Sequence, residues 1–260
     1  MPVRAMIPMW PRAVEGPVMP ETNKILDRLR VALRSLPRLG PEFRPDRLQL
    51  DAEGTLTIEG EVPSVAAKKL ALERVAAFGE VSGVLDRLRV APAVPMQDAE
   101  IRAHLRQAYQ QEPSFAALEI AERRGAKLDP VRGAPDRCLG RLVIEVDEGV
   151  VTLNGQVPGL NSKRLAGVLA WWVPGSRDVV NGLAVEPPED DGPDMIEEAV
   201  LIALEKDPFL EAGQIKVGVR HRTVRLTGLV PSQAQRDMAE KDAWYVFGVD
   251  EVINQLGVGR

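Results

Sequence analysis

The side chains able to do chemistry are few and scattered. The 260-residue chain has one cysteine, Cys138, and two histidines, His104 and His221. A single thiol closes no intramolecular disulfide, and one thiol with two imidazoles falls short of a Cys/His zinc site. His104 lies in a helical pattern and His221 in a hairpin turn of a different segment, neither close in sequence to Cys138 or to a serine elbow. No nucleophile–base pair is therefore spelled out. None of the glycines belongs to a GxGxxG or GxxxxGK[ST] run, so no phosphate-cradling loop is present. The inventory predicts a chain without catalysis, without a cofactor and without a metal site.

The aromatic residues carry more information. Five of the eleven fall at two places, Trp171 and Trp172, then Trp244, Tyr245 and Phe247. Each follows a helical run whose core face is set by Ala166, Ala170 and Val173, or by Ala239, Ala243 and Val246. At about 100° per residue, Trp171 and Trp172 point well away from that face. Bulky aromatics off a core face predict contact with another domain, another chain or a membrane interface. A basic amphipathic stretch with Lys24, Arg28, Arg30 and Arg34 is a second contact candidate, since such a helix can lie on anionic lipid.

The elements that position these residues come from a repeat. TLTIEGEVPS (55–64), VVTLNGQVPG (150–159) and TVRLTGLVPS (223–232) follow one pattern, which runs without a gap through 55–90, 150–185 and 223–258. The second and third copies share 14 of 36 positions. Gly60, Gly155 and Gly228, then Pro63, Pro158 and Pro231, recur in register. The irregular spacing argues against a solenoid and for three small domains. Each copy reads as an amphipathic helix, two alternating strands, a helix starting near Ser64, Gly159 or Ser232, and a last strand. The fold class is α+β: three αββαβ domains, each a three-stranded mixed sheet with two helices on one face. Asn23 is the expected cap of the first helix, and Asp194 with Glu197 the expected capping box of the fifth.

The expected boundaries are a proline-rich tail over 1–21 and domains over 22–91, 97–186 and 194–259. Proline-rich joints, APAVPMQ and EPPEDDGPD, separate the domains. The second domain carries an insertion at 112–140, where Ser114–Gly125 reads as a short helix. The glycines are expected to let a helix pack closely on the strand. Asp86, Asn181 and Asn254 share the inward parity of the last strand and are expected to hydrogen-bond backbone.

With Lys plus Arg at 33 and Asp plus Glu at 38, the net charge is −5, a poor match to nucleic acid. The N-terminus is broken by prolines at 2, 8, 11, 17 and 20 and does not read as a secretory signal. The expectation is a cytoplasmic protein with Cys138 reduced, at most peripheral to a membrane.

The pattern of the repeated strand, the helix, and then FGVDEVINQLGV (247–258) or VPGSRDVVNGLAV (173–185) resembles the BON domain, named for bacterial OsmY and nodulation proteins. The first copy departs, with Glu80 in place of Gly175 and Gly248 and Asp86 in place of Asn181 and Asn254. The resemblance implies a non-enzymatic module that associates with phospholipid at the bacterial envelope or in osmotic stress. The alternative it implies is protein–protein contact or self-assembly. The partner is thus a phospholipid surface, a protein or a second copy of the chain.

Overall fold

The computed structural model describes residues 20–259. The expected tail lies outside the described residues except for positions 20 and 21, which open the first helix. The first unit runs α1 (Pro20–Arg34), β1 (Arg47–Leu50), β2 (Thr55–Val62), α2 (Val65–Ala76) and β3 (Gly83–Val90). Leu26, Leu29 and Leu33 recur every three or four residues along α1 and are buried. Asn23 does not cap this helix, which starts three residues earlier. β2 lies between an antiparallel β1 and a parallel β3. Its Leu56 and Ile58 are fully buried in a core with Ala71 and Val75 of α2. Ser64 caps α2, its hydroxyl accepting from the Ala67 N–H.

The second unit has the same plan with additions. Its order is α3 (Asp98–Gln111), β4 (Leu118–Arg124), β5 (Lys127–Arg132), β6 (Gly140–Asp147), β7 (Val150–Val157), α4 (Leu160–Trp171), β8 (Asp178–Asn181) and β9 (Ala184–Val185). The insertion is not a helix. After a single 3-10 turn at Pro113–Phe115, it forms β4 and β5, which extend the sheet to six strands in the order β5-β4-β6-β7-β8, with β9 also on β7. β4 pairs in parallel with β6 and buries Leu118, Ile120 and Ala121. The apolar residues of this segment fit either period, and the open edge of β6 selects the strand.

The third unit returns to three strands: α5 (Pro193–Lys206), β10 (Ile215–Arg220), β11 (Thr223–Val230), α6 (Gln233–Tyr245) and β12 (Glu251–Val258). Gly192 rather than Asp194 caps α5, and Pro193 takes the first helical position, where its missing N–H is no loss. The capping-box carboxylate occurs instead at α3, where Glu100 accepts from the Gln97 N–H at 2.8 Å.

The repeated glycines are required, for a different reason from the one expected. Gly155 and Gly228 have φ of 114° and 128°, and a Cβ there would strike the carbonyl of Arg141 or Gln214 at the start of the neighbouring strand. Close approach of the neighbouring antiparallel strand, not an overlying helix, excludes a side chain. The inward polar residues hydrogen-bond locally as expected. Asp86, Asn181 and Asn254 each accept from the N–H two residues on, that of Leu88, Leu183 or Leu256. The amides of Asn181 and Asn254 also donate to the carbonyls of Lys163 and Arg236, tying the last strand to α4 and α6.

Candidate functional site

The three units meet where α6 packs against both α2 and α4. The aromatic residues gather there. Trp171 of α4 stacks on Tyr245 of α6, with ring centroids 5.8 Å apart and planes at 12°. Trp172 donates its indole N–H to Asp242 at 2.8 Å. Trp244, the next-to-last residue of α6, is 3% exposed: it is buried in a cluster of the third unit that also takes in Ala66 of the first and Val168 of the second, so it contacts other units rather than an outside surface. Of the five aromatic candidates, only Phe247 remains on the outside, with the Lys163 ammonium 5.3 Å from its ring centroid.

Two cations that no local sequence pattern sets apart fasten this junction. Lys69 of α2 and Arg164 of α4 hold the same position in their repeats, where the third has Asp237. Both reach the turn after α6. Lys69 donates to the carbonyls of Trp244 at 2.8 Å and Val249 at 2.9 Å, and more weakly to that of Val246. Arg164, 1% exposed, donates to the Phe247 carbonyl at 2.9 Å and pairs with Asp191 of the acidic joint. These carbonyls end a helix, where the backbone dipole favours positive charge. Burial lowers the Lys69 ammonium to about 8, with Asp250 partly opposing the shift. The first and second units are joined by buried Lys68, which pairs with Asp86 of its own unit and Asp178 of the next, at 2.9 and 2.7 Å.

A cavity of about 810 Å³ opens at the same junction, lined from all three units. Pro63 and Ala66 supply one wall, Trp171 and Trp172 the second, and Asp207, Asp242, Trp244 and Tyr245 the third. Asp242 is 2% exposed and Asp207 7%. Burial, together with the neighbouring Asp207 carboxyl, pushes Asp242 up to about 8 against the opposing Trp172 hydrogen bond. Its Oδ2, like the Trp244 indole N–H, has no hydrogen-bond partner among the described residues.

The basic stretch on α1 lies elsewhere. Lys24, Arg28 and Arg34 are exposed and Arg30 is half-buried. Arg28 pairs with Glu80 at 2.6 Å and Arg30 with Asp27 at 2.8 Å, so half of this charge is locally neutralised. None of the four lines the aromatic junction. The sheets also end in strands with one free side. β12 is eight residues long, has no proline and carries one charge, Glu251. β3 has the same place in its sheet, but Asp86, Arg87 and Arg89 charge it, and its last N–H, at Val90, donates to the Arg177 carbonyl of the second unit at 2.7 Å.

Among the described residues, no helix is long and apolar enough to cross a membrane, and no group of three or more His, Cys, Asp or Glu side chains converges as a metal site. The BON domain model matches at residues 26–92, 134–187 and 193–260. The three matches cover well over half of the chain, which belongs to the BON domain family and carries three tandem copies. No curated protein matches it. Two solved structures of CdsD, a structural protein of the type III secretion system of Chlamydia trachomatis, are similar at 13% identity. One, of the C-terminal domain, covers 91% of this chain and 98% of its own with a TM-score of 0.24; the other covers 91% and 92% with a TM-score of 0.23. At those scores the likeness carries no functional argument.

Proposed function

We propose that this chain is a non-catalytic scaffold that associates with protein, through strand addition at the open edge of its third BON unit. The observation that carries the reading is β12, an eight-residue edge strand with one charge and no proline, on which the carbonyls of Asn254 and Leu256 are held by Arg236 and the Leu256 N–H by the Asn254 side chain, and no further strand is paired. An unprotected edge is a template for another strand, and natural sheets that avoid such pairing guard their edges with charge or proline. Here β5 contains Pro130 and three charged residues, and β10 contains Lys216 and Arg220, whereas β12 itself carries only Glu251, with Arg236 of α6 on two of its carbonyls.

Peripheral phospholipid association is the competing reading, and two observations weigh against it. A membrane-facing module places aromatics beside basic residues on one surface. In this chain Trp171, Trp172, Trp244 and Tyr245 are engaged between or within units, away from the basic face of α1. The deciding experiment measures native mass across protein concentration, alongside co-sedimentation with anionic and neutral vesicles. The expected result is association that rises with concentration, ignores vesicles and is lost in Ile253→Lys, which charges the outer face of β12. A monomer at all concentrations that sediments with anionic vesicles would reverse the assignment in favour of lipid.

A further inference from the structure

The cavity at the junction has the chemistry of a receptor for a cation. Two buried carboxyls lie close together, and Asp207 at the end of α5 raises the cost of ionising Asp242 on α6. Two adjacent carboxylates in a low-dielectric site need a positive charge between them, supplied by a proton or by a bound cation. Asp207 uses one oxygen to accept from the Phe209 N–H, and Asp242 uses Oδ1 to accept from Trp172. Oδ2 of Asp242 is left without a donor among the described residues, within a residue that is almost wholly buried.

The walls narrow the class of cation. Trp171, Trp172, Trp244 and Tyr245 all line the space, and aromatic faces attract cations through their quadrupole, most strongly where water is excluded. A bare metal ion would need more oxygen or nitrogen ligands than two carboxylates, and among the described residues no third such side chain joins them. At about 810 Å³, the space also has the volume typical of small organic ligands. The other charged groups lining it are Arg38, Asp237, Glu240 and Lys241, and Arg38 is itself paired with Glu240. The lining therefore holds more acid than base.

From this geometry we infer that the junction binds an organic ammonium ion, its charge on the Asp207–Asp242 pair and its alkyl groups against Trp171, Trp172 and Tyr245. The cation takes the place of the proton that Asp242 otherwise holds, so binding below about pH 8 releases a proton. Because all three units line the cavity, an occupant would also hold them together. The inference does not depend on strand addition at β12, which lies outside the cavity.

The test uses the full chain with choline as probe and 3,3-dimethylbutan-1-ol as control. The two differ only in a quaternary nitrogen replaced by carbon, and neither titrates. At about pH 8.5, above the value near 8 to which Asp242 is raised, choline is expected to raise the melting temperature saturably and the alcohol to leave it unchanged. Asp242→Asn is expected to weaken the choline effect by about tenfold or more. Asp207→Asn, which removes the second carboxyl without touching the Trp172 bond, serves as the independent variant. Phosphatidylcholine vesicles distinguish a lipid headgroup from a free cation: Asp242-dependent sedimentation identifies the headgroup, and its absence with free choline still binding identifies the soluble ion. Equal shifts by choline and the alcohol, or an undiminished choline shift in both folded variants, would overturn the inference.

Discussion

Trp171 and Tyr245 face each other across the boundary between the second and third units, 5.8 Å between ring centroids and 12° from parallel. They fall at adjacent rather than equivalent places in the repeat: Trp171 aligns with Trp244 and with Ala76, Tyr245 with Trp172 and Ala77. The duplication supplied similar helix ends, and the second and third units use them on one another. The first unit, with alanine at both places, contributes Lys69 instead.

The stack is expected to couple these two units energetically. Aromatic pairs contribute about 0.5–1.5 kcal/mol beyond the area they bury. A double-mutant cycle of Trp171→Ala and Tyr245→Ala, read by denaturant unfolding, should return a coupling of about 1 kcal/mol. Additive losses would mean that each ring acts through its own unit alone.

Gly228 offers a test confined to one unit. Its φ of 128° and the Gln214 carbonyl in the way of any Cβ make Gly228→Ala both strained and obstructed. The expected loss is about 2 kcal/mol of stability. Gly218, on the adjacent strand with nothing within 4 Å of a Cβ, is the control and should change by less than about 0.5 kcal/mol as alanine. Comparable losses at both positions would show that the close approach of the Gln214 carbonyl does not set the cost.

Much of this fold is legible in residue pattern, because its determinants are local. Ser64, Gly159 and Ser232 were each placed at the start of a helix, and each is the N-cap. Strand alternation points Leu56, Ile58, Val151, Leu153, Val224 and Leu226 inward, and all are fully buried. The junction was legible only in outline. Helical phase shows that Trp171 and Trp172 leave their own core, but not what they meet. Lys69 acts on carbonyls about 175 residues away in sequence, and no local pattern distinguishes it from a solvated lysine. The pairing of Asp207 with Asp242 is of the same kind. The insertion forms strands where its pattern predicts a helix for a related reason: its partner, β6, decides strand over helix, and periodicity does not show the partner.

Limited proteolysis tests the proposed units, 22–91, 97–186 and 194–259. Arg137 and Cys138 are exposed in the loop after β5, and trypsin should cut there early. Broader proteases should cut the joints near 92–96 and 187–193, whose residues are mostly exposed. The fragments should nevertheless co-elute on size exclusion, because Lys68–Asp178, Lys69 and Arg164 join units without using the joints. Fragments that separate freely would show that the covalent joints, rather than these contacts, hold the units together.

The buried charges at the junction predict an unusual dependence of stability on pH. Asp242 has its pKa raised from 3.8 to about 8, so between those values the folded chain binds the extra proton. Stability then falls as pH rises across that window, by at most about 1.4 kcal/mol per pH unit for one proton. Lys69 has its pKa lowered from 10.5 to about 8, so between about 8 and 10.5 the unfolded chain binds the extra proton, and stability rises with pH. These two contributions meet in a minimum near pH 8. The groups facing Asp242 are Asp207, Lys241, Trp172 and Tyr245, and those acting on Lys69 are Asp250 and Arg222. Denaturant unfolding of the wild type, Asp242→Asn and Lys69→Met across this range separates the two. Asp242→Asn is expected to flatten the difference curve below pH 8 and leave the alkaline limb, and Lys69→Met to do the reverse. If each variant instead ran parallel to the wild type throughout, neither Asp242 nor Lys69 would titrate with a shifted pKa.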